Sequence, residues 1–139
     1  MTEKDLPKLK YDAGAIVINK KTRAIALIKM HHNVWGFPKG GIKENESTLN
    51  AAKREVYEET GIKEVEVIAE LPPYQRPNSY KLDERLNINM YIFETDEDDL
   101  KPVGYDIAEV KWVAIEDVPA TLTMTEDIDF FMEVRHKII

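Results

Sequence analysis

Three glutamates near the middle of the chain are the residues best suited to do chemistry. Glu58 and Glu59 lie three and four positions after Glu55, a spacing that brings side chains to one face of an α-helix. Like charges repel at this spacing, so we expect at least one carboxyl group to have a raised pKa. Divalent cations bind carboxylate and carbonyl oxygens together with substrate phosphates. The cluster therefore predicts either a solvated acidic face or a metal site.

The neighbouring residues predict a helix that begins near Ser47 or Thr48 and ends at Thr60. Ser47 is suited to cap its N-terminus, and Gly61 to follow its C-terminus. An apolar stripe can pack on a sheet and consists of Leu49, Ala52 and Val56. Before the helix, Gly40 and Gly41 predict a turn whose backbone angles other residues resist.

From Gly40 to Ile62 the chain reads GGIKENESTLNAAKREVYEETGI. This segment resembles the Nudix hydrolase signature at every fixed position. The resemblance implies an α/β/α sandwich with a mixed β-sheet between helices. It also implies a pyrophosphohydrolase that depends on Mg²⁺ or Mn²⁺ and splits a diphosphate linkage in a nucleoside diphosphate joined to another group.

The same resemblance implies roles for the residues of the signature. Glu55 and Glu59 would bind metal through their side chains, and Gly40 through its carbonyl oxygen. Glu58 would be either a ligand or the general base, so Glu55 and Glu58 are the catalytic candidates. Three further residues would support the loop and helix, namely Glu46, Arg54 and Gly61.

One acidic ligand is expected from outside the signature. Many family members carry it six residues before a tryptophan of the last strand, which here is Asp106, ahead of Trp112. The family more often has glutamate there, and Glu109 is a second candidate. A solvated loop acid remains the alternative for both residues.

Substrate choice is predicted from two residues outside the cluster. The FPKG segment from Phe37 to Gly40 resembles dinucleoside polyphosphate hydrolases and messenger-RNA decapping enzymes, and makes Lys39 a candidate phosphate contact. Tyr80 follows Ile62 by 18 residues, like the tyrosine that stacks on adenine in dinucleoside polyphosphate hydrolases. Pro77 is similar to a proline that marks ADP-ribose hydrolases.

These features favour hydrolysis of diadenosine tetraphosphate to ATP and AMP. The first alternative is an ADP-ribose or nucleoside triphosphate pyrophosphatase, and the next is an RNA 5′-end hydrolase, because WGFPKG and REVYEETG look like the decapping enzyme. The net charge of −7 disfavours long nucleic acid, which needs many basic contacts. A nucleotide-binding module without turnover is the last alternative.

Composition and length bound the remaining properties. The 139 residues predict a single domain over 1–139, in which 1–10 form a tail or an edge segment. The absence of cysteine excludes disulfides and thiolate chemistry. No apolar run approaches the roughly 18 residues of a membrane span, and the N-terminus lacks a signal-peptide core. We therefore expect a cytoplasmic protein without membrane contact. A monomer is the favoured oligomeric state.

Alternating and apolar segments predict the order of elements along the chain. A polar turn joins the first two strands into a hairpin, and His31, His32 and Asn33 form a loop. Strands are predicted over 11–19, 24–30, 65–71, 86–94 and 107–115. A short strand that begins at Val34 and is ended by Pro38 runs into the glycine turn. Polar loops are predicted over 72–83 and 95–104, a helical turn over 116–119, and a closing amphipathic helix over 125–139.

Overall fold

The computed structural model describes residues 8–138. Within them a mixed sheet contains β1 (Lys8–Asn19), β2 (Ile25–Met30), β3 (Trp35–Gly36), β4 (Lys39–Gly41), β5 (Glu66–Glu70), β6 (Tyr74–Asn78), β7 (Lys81–Thr95) and β8 (Ile107–Val113). The helices are α1 (Thr48–Thr60), α2 (Val118–Thr121) and α3 (Thr125–Val134). Single 3₁₀ turns precede α2 and follow α3, at Ile115–Asp117 and Arg135–Lys137.

Strand β1 is the centre of the sheet. Along one edge it pairs antiparallel with β2 and with β4, and along the other it pairs in parallel with β7 over its whole length. The pairing with β2 confirms the predicted hairpin. Pairing with β4 sets Asp12 opposite Gly41 and Gly14 opposite Lys39. The start of β1 therefore lies directly beside the segment that leads toward α1.

Helices cover both faces of the sheet, because side chains of β1 alternate between them. Ile16 and Ile18 belong to a buried cluster that includes Phe130, Phe131 and Val134 of α3. Ala15 and Val17 belong to a second cluster that includes Ala51, Ala52 and Val56 of α1. The predicted α/β/α sandwich is thus confirmed, with α1 and α3 on opposite faces.

The prediction of a loop over 72–83 is wrong. This segment contains β6 and the first residues of β7, which pair as a hairpin with Tyr74 opposite Ile88. Proline and polar residues indicated a loop locally, but backbone pairing with β7 outweighs that tendency. Pro77 is accommodated within this pairing, opposite Arg85. The hairpin carries Tyr80 at its tip.

Three smaller boundaries also differ from the prediction. The predicted short strand is β3, and the segment predicted as a glycine turn after Pro38 is a further strand, β4. The closing helix predicted over 125–139 ends at Val134 and is followed by a 3₁₀ turn over 135–137. Residues 8–10, predicted as part of a tail or edge, belong to β1, whereas 1–7 and the final residue of the predicted closing helix lie outside the described residues. No helix within 8–138 combines the length and the apolar character needed to cross a membrane.

Candidate active site

A cavity of about 560 Å³ lies between the end of α1, the start of β1 and the β6–β7 hairpin. All but one of the residues predicted to bind metal or substrate line it, and Glu109 is the exception. The lining residues are Lys39, Gly40, Glu55, Glu58, Glu59, Tyr80 and Asp106. The structure therefore brings together side chains that the sequence placed in four separate segments.

Helix α1 presents the glutamates because both of its ends are fixed. At the N-terminus the Ser47 hydroxyl accepts a hydrogen bond from the Asn50 N–H at 3.1 Å. At the C-terminus Gly61 takes a left-handed φ of 81° and donates to the Tyr57 carbonyl. Both predicted caps are confirmed, and Gly61 supplies a conformation that side chains resist.

Gly40 is needed for space and not for its backbone angles. Among the described glycines Gly61 is the one with a positive φ, so the prediction that Gly40 and Gly41 form an unusual turn is wrong. Both belong to β4, and a Cβ on Gly40 would overlap the Glu55 carboxylate. The glycine thus lets its backbone approach a carboxylate closely.

Arg54 joins the loop before α1 to the acidic cluster. Its Nε and Nη2 donate to the two oxygens of Glu46, at 2.8 and 2.9 Å. Nη2 also donates to the Gly41 carbonyl, and Nη1 donates to Glu55 at 2.7 Å and contacts Glu58 at 3.3 Å. One guanidinium therefore binds Glu46 of the loop and reaches two of the three clustered glutamates.

The carboxyl groups of the site differ in pKa. Burial raises the pKa of Glu55, and it raises that of Glu59 to about 8 although the Lys39 N–H donates to this carboxylate. The predicted upward shift is confirmed, but desolvation is its main cause and repulsion between neighbouring acids a smaller one. By contrast, hydrogen bonds from Arg54 lower the pKa of Glu46 to about 2.

Lys39 faces the cavity as part of a buried ion pair. Its backbone N–H donates to Glu59 at 2.9 Å, and its ammonium lies 3.3 Å from a carboxylate oxygen of Asp12. Burial lowers the pKa of Lys39, and the nearby positive charge of Arg76 lowers it further. The lysine is therefore no exposed loop residue, and its charge is held against β1.

The two acids proposed as an outer ligand lie in different places. Asp106 precedes β8 and lines the cavity. Glu109 lies within β8, where its carboxylate pairs with Lys29 at 3.7 Å. Of the two candidates, Asp106 is the one that shares a cavity with the glutamates of α1.

The loop before β8 is attached to the acidic end of α1. The N–H groups of Val103 and Gly104 donate to the Glu58 carbonyl at 2.9 and 3.0 Å, and Lys101 donates to Thr60. These bonds occupy carbonyls at the end of the helix that lack partners within it. They also hold Asp106 near the helix residues with which it lines the cavity.

Tyr80 lies at the mouth of the cavity. Its side chain is 61% exposed, and its ring packs on His32 with centroids 4.0 Å apart. Partial burial raises the pKa of Tyr80, and the charges of Asp106 and Glu59 raise it further. Tyr80 is therefore mostly exposed, at the tip of the hairpin that β6 and β7 form.

The sequence interpretation missed two buried ion pairs beside the cavity. Asp12 pairs with Lys39, and Arg76 of β6 donates to Asp127 of α3 at 3.0 Å, where the Tyr74 hydroxyl also donates. Among the described residues, one nitrogen of Arg76 and one oxygen each of Asp12 and Asp127 have no hydrogen-bond partner. An acid that opens the apolar strand YDAGAIVIN was the one available signal.

The donor set suits a hard divalent cation. The three carboxylates of α1 and the Gly40 backbone line the cavity, and the close approach of Gly40 to the Glu55 carboxylate leaves no room for a Cβ. Within 8–138 no group of three or more such side chains is placed to hold an ion. Arg54 pairs with Glu55 and contacts Glu58 in this arrangement.

A family model of the NUDIX domain matches residues 8–133. The chain belongs to the Nudix family. As the sequence predicted, this Nudix protein is a pyrophosphohydrolase, a hydrolase of phosphorus-containing anhydrides. Nudix hydrolases generally depend on divalent metal ions.

Individual relatives are similar to this Nudix chain to different extents. A protein of Pelagibacter ubique named RNA pyrophosphohydrolase is 28% identical over 94% of this chain and 91% of its own length. A Rhodopseudomonas palustris protein of the same name is 44% identical over 62 residues, or 45% of this chain and 36% of that protein. An Ap4A hydrolase of C. elegans has the same fold, with a TM-score of 0.80 at 17% identity over 93% of this chain and 97% of that one.

Proposed function

We propose that this protein hydrolyses nucleoside polyphosphates, and that its preferred substrate is diadenosine tetraphosphate (Ap4A), cleaved to ATP and AMP. One observation carries the proposal: the glutamate cluster, Lys39 and the open ring of Tyr80 line a single cavity. A nucleoside polyphosphate needs partners for phosphate charge and an aromatic surface for a base, and the cavity offers both.

In this proposal Glu55, Glu59 and the Gly40 carbonyl hold Mg²⁺ or Mn²⁺, with Asp106 as the outer ligand, and Glu58 is either a further ligand or the general base. Such an ion neutralises phosphate charge and lowers the pKa of bound water. Glu58 is the preferred general base, because 41% of its side chain is exposed against 12% for Glu55. Glu55 is the alternative base.

The supporting residues act through the position of α1. Glu46 holds Arg54, and Arg54 in turn orients Glu55 and Glu58 until the ion binds. Gly61 allows the chain to leave α1 beside the loop that carries Asp106. These residues make no proposed contact with substrate.

Tyr80 and Lys39 are the proposed substrate contacts. The ring of Tyr80 stacks on one adenine, with His32 supporting its position. Phosphate oxygens compete with Asp12 for the ammonium of Lys39, which lies 3.3 Å from that carboxylate. The base and the phosphates are therefore bound by separate parts of the cavity.

RNA 5′ ends are the second candidate substrate. The Pelagibacter ubique relative, aligned over 94% of this chain, is named RNA pyrophosphohydrolase. A 5′-triphosphate offers the same linkage and a base for Tyr80, whereas the net charge of −7 disfavours contacts with a long RNA. A short single-stranded end fits the site better than an extended duplex.

A metal-supplemented hydrolysis screen tests the proposal. It compares Ap4A, ADP-ribose, nucleoside triphosphates and 5′-triphosphorylated RNA with Mg²⁺ and with Mn²⁺. We expect Ap4A to have the highest kcat/KM and to yield ATP and AMP. A hundredfold preference for another compound would transfer the assignment to that substrate, and the absence of any hydrolysis would leave a nucleotide-binding module.

Substitution of Tyr80 tests the base platform directly. Tyr80→Ala should raise the KM for Ap4A by an amount worth roughly 1–3 kcal/mol, the contribution of one stacked base. The effect should fall on KM if stacking is equal in the ground and transition states. Tyr80→Phe keeps the ring and should restore the wild-type KM. An unchanged KM in Tyr80→Ala contradicts the proposed platform.

Three broader predictions belong to the same proposal. They are a single domain over 1–139, a cytoplasmic location and a monomeric state. Light scattering coupled to size exclusion, with and without Mg²⁺, tests the last of these.

A further inference from the structure

Tyr105 is an exposed aromatic residue on the rim of the cavity. Its side chain is 96% exposed, although both of its neighbours, Gly104 and Asp106, line the cavity. Moving an aromatic ring out of water is favourable. A fully exposed ring beside a ligand site is therefore a surface on which a ligand can stack. The position of this ring next to the proposed outer metal ligand makes it relevant to the substrate.

The backbone that carries Tyr105 is held from two sides. Its carbonyl oxygen lies 2.8 Å from Nε2 of His31, and the preceding residues Val103 and Gly104 donate to the Glu58 carbonyl of α1. The backbone at Tyr105 is therefore fixed relative to α1, so the loop need not be ordered when a ligand reaches the ring.

His31 and His32 connect this rim to Tyr80. His31 contacts the backbone of Tyr105, whereas His32 packs on the ring of Tyr80 and lies 3.0 Å from the Ser79 hydroxyl. The charge of Asp106, next to Tyr105, acts on the Tyr80 hydroxyl. The backbone of Tyr105 and the ring of Tyr80 are thus connected through two adjacent histidines.

We infer that Tyr105 is the stacking platform for the second nucleobase of the substrate. The inference rests on the proposed function, in which Tyr80 accepts one base and the glutamate cluster lies near the polyphosphate. The second nucleoside of Ap4A must leave the cavity across its rim, where Tyr105 offers an aromatic face. Substrates with one base do not reach this platform, so it favours dinucleoside compounds.

The test compares Ap4A with adenosine 5′-tetraphosphate, which has the same number of phosphates and one base. Affinity is measured as KM, or as an inhibition constant where turnover is absent. Tyr105→Ala should weaken the affinity for Ap4A roughly 5- to 150-fold and leave the affinity for adenosine tetraphosphate unchanged. Tyr80→Ala should weaken both compounds, because both carry the first base.

Two variants control for effects on the loop. Tyr105→Phe retains the ring and should restore the affinity for Ap4A, whereas Val103→Ala trims another exposed side chain of the same loop and should change neither affinity. The ratio of the two affinities is the readout, since a general disturbance of the site would lower both.

The outcomes separate the inference from the function on which it rests. Turnover of Ap4A with equal affinities in wild type and Tyr105→Ala overturns the inference alone, as does equal weakening of both compounds. If Tyr105→Ala weakens only the affinity for a 5′-triphosphorylated dinucleotide, the platform belongs to RNA and the inference for Ap4A is overturned. Wild-type protein that hydrolyses neither compound contradicts the proposed function and the inference together.

Discussion

The guanidinium of Arg54 and the carboxylate of Glu46 meet at two points, with Nε 2.8 Å from one oxygen and Nη2 2.9 Å from the other. This planar arrangement leaves Nη1 free to donate to Glu55. A residue of the loop before α1 thereby determines where the positive charge beside the metal candidates lies.

The pair should make stability depend on pH in the acid range. The pKa of Glu46 in the folded protein is about 2, below its ordinary value of 4.5. Its contribution is therefore fully present above pH 4.5 and is lost as the pH falls toward about 2. Glu46→Gln should lower the melting temperature above this window, and the difference should vanish at its acid end.

Thermal unfolding at a series of pH values measures this effect. Glu44→Gln removes an exposed charge from the same loop and should not reproduce it. A difference between wild type and Glu46→Gln that stays constant with pH would contradict the prediction.

Glu59→Gln should lower turnover by orders of magnitude while the fold is kept. In the wild type the Lys39 N–H donates to the Glu59 carboxylate at 2.9 Å, and the amide oxygen of glutamine can still accept this bond. The negative charge proposed to hold the ion is lost. The measurement is kcat with saturating Mg²⁺ in protein whose circular dichroism is unchanged. Near-normal turnover would exclude Glu59 from the metal site.

Glu109→Gln is the matched control for this experiment, because it removes one carboxylate near the cavity but outside its lining. Activity should be retained in Glu109→Gln and reduced in Asp106→Asn. The reverse pattern would exchange the roles of these two acids.

Metal binding should release a proton at neutral pH. Burial raises the pKa of Glu59 to about 8, so this carboxyl group is mostly protonated at pH 7 and must ionise to bind a cation. The release should fade as the pH rises through about 8. Calorimetric titration with Mg²⁺ in buffers of different ionisation enthalpy measures it, and equal heats in all buffers at pH 7 would count against it.

Asp127→Asn should destabilise the protein strongly. Asp127 accepts from Arg76 at 3.0 Å and from the Tyr74 hydroxyl, and both members of the ion pair are buried. Loss of the negative charge leaves a buried guanidinium unpaired, which costs about 3–5 kcal/mol. Urea unfolding measures the free energy directly.

Two variants calibrate that loss. Tyr74→Phe removes one hydrogen bond to the carboxylate and should cost about 1–3 kcal/mol. Asp129→Asn, exposed on the same helix, should remain within about 0.5 kcal/mol of wild type. A similarly small change in Asp127→Asn would mean that the buried pair does not stabilise the fold.

Features encoded by neighbouring residues were predictable from the sequence. Ser47 and Gly61 bound α1 as expected, because capping depends on residues within one turn of the helix end. The shared face of Glu55 and Glu59 likewise follows from helix geometry alone. Strand β1 was predicted from its apolar, β-branched residues.

Features that depend on distant pairing were not predictable in this way. Arg76 is buried because α3, 51 residues later, supplies Asp127. Neither segment carries a local sign of that contact, and the surrounding prolines indicated a loop. The ion pair of Lys39 with Asp12 was likewise not predictable, because β1–β4 pairing fixes this contact and no local pattern indicates it.

The parallel pairing of β1 with β7 also bears on how the site forms during folding. Each partner in this ladder is separated by 76 positions, as Lys8 is from Glu84 and Asn19 from Thr95. Contacts of such long range form slowly, because the loop between the strands must first be closed. Helix α1 lies inside that loop and can form from local contacts. Because α1 also precedes β7 in the chain, the acidic helix emerges from a ribosome before the strand that pairs with the whole length of β1.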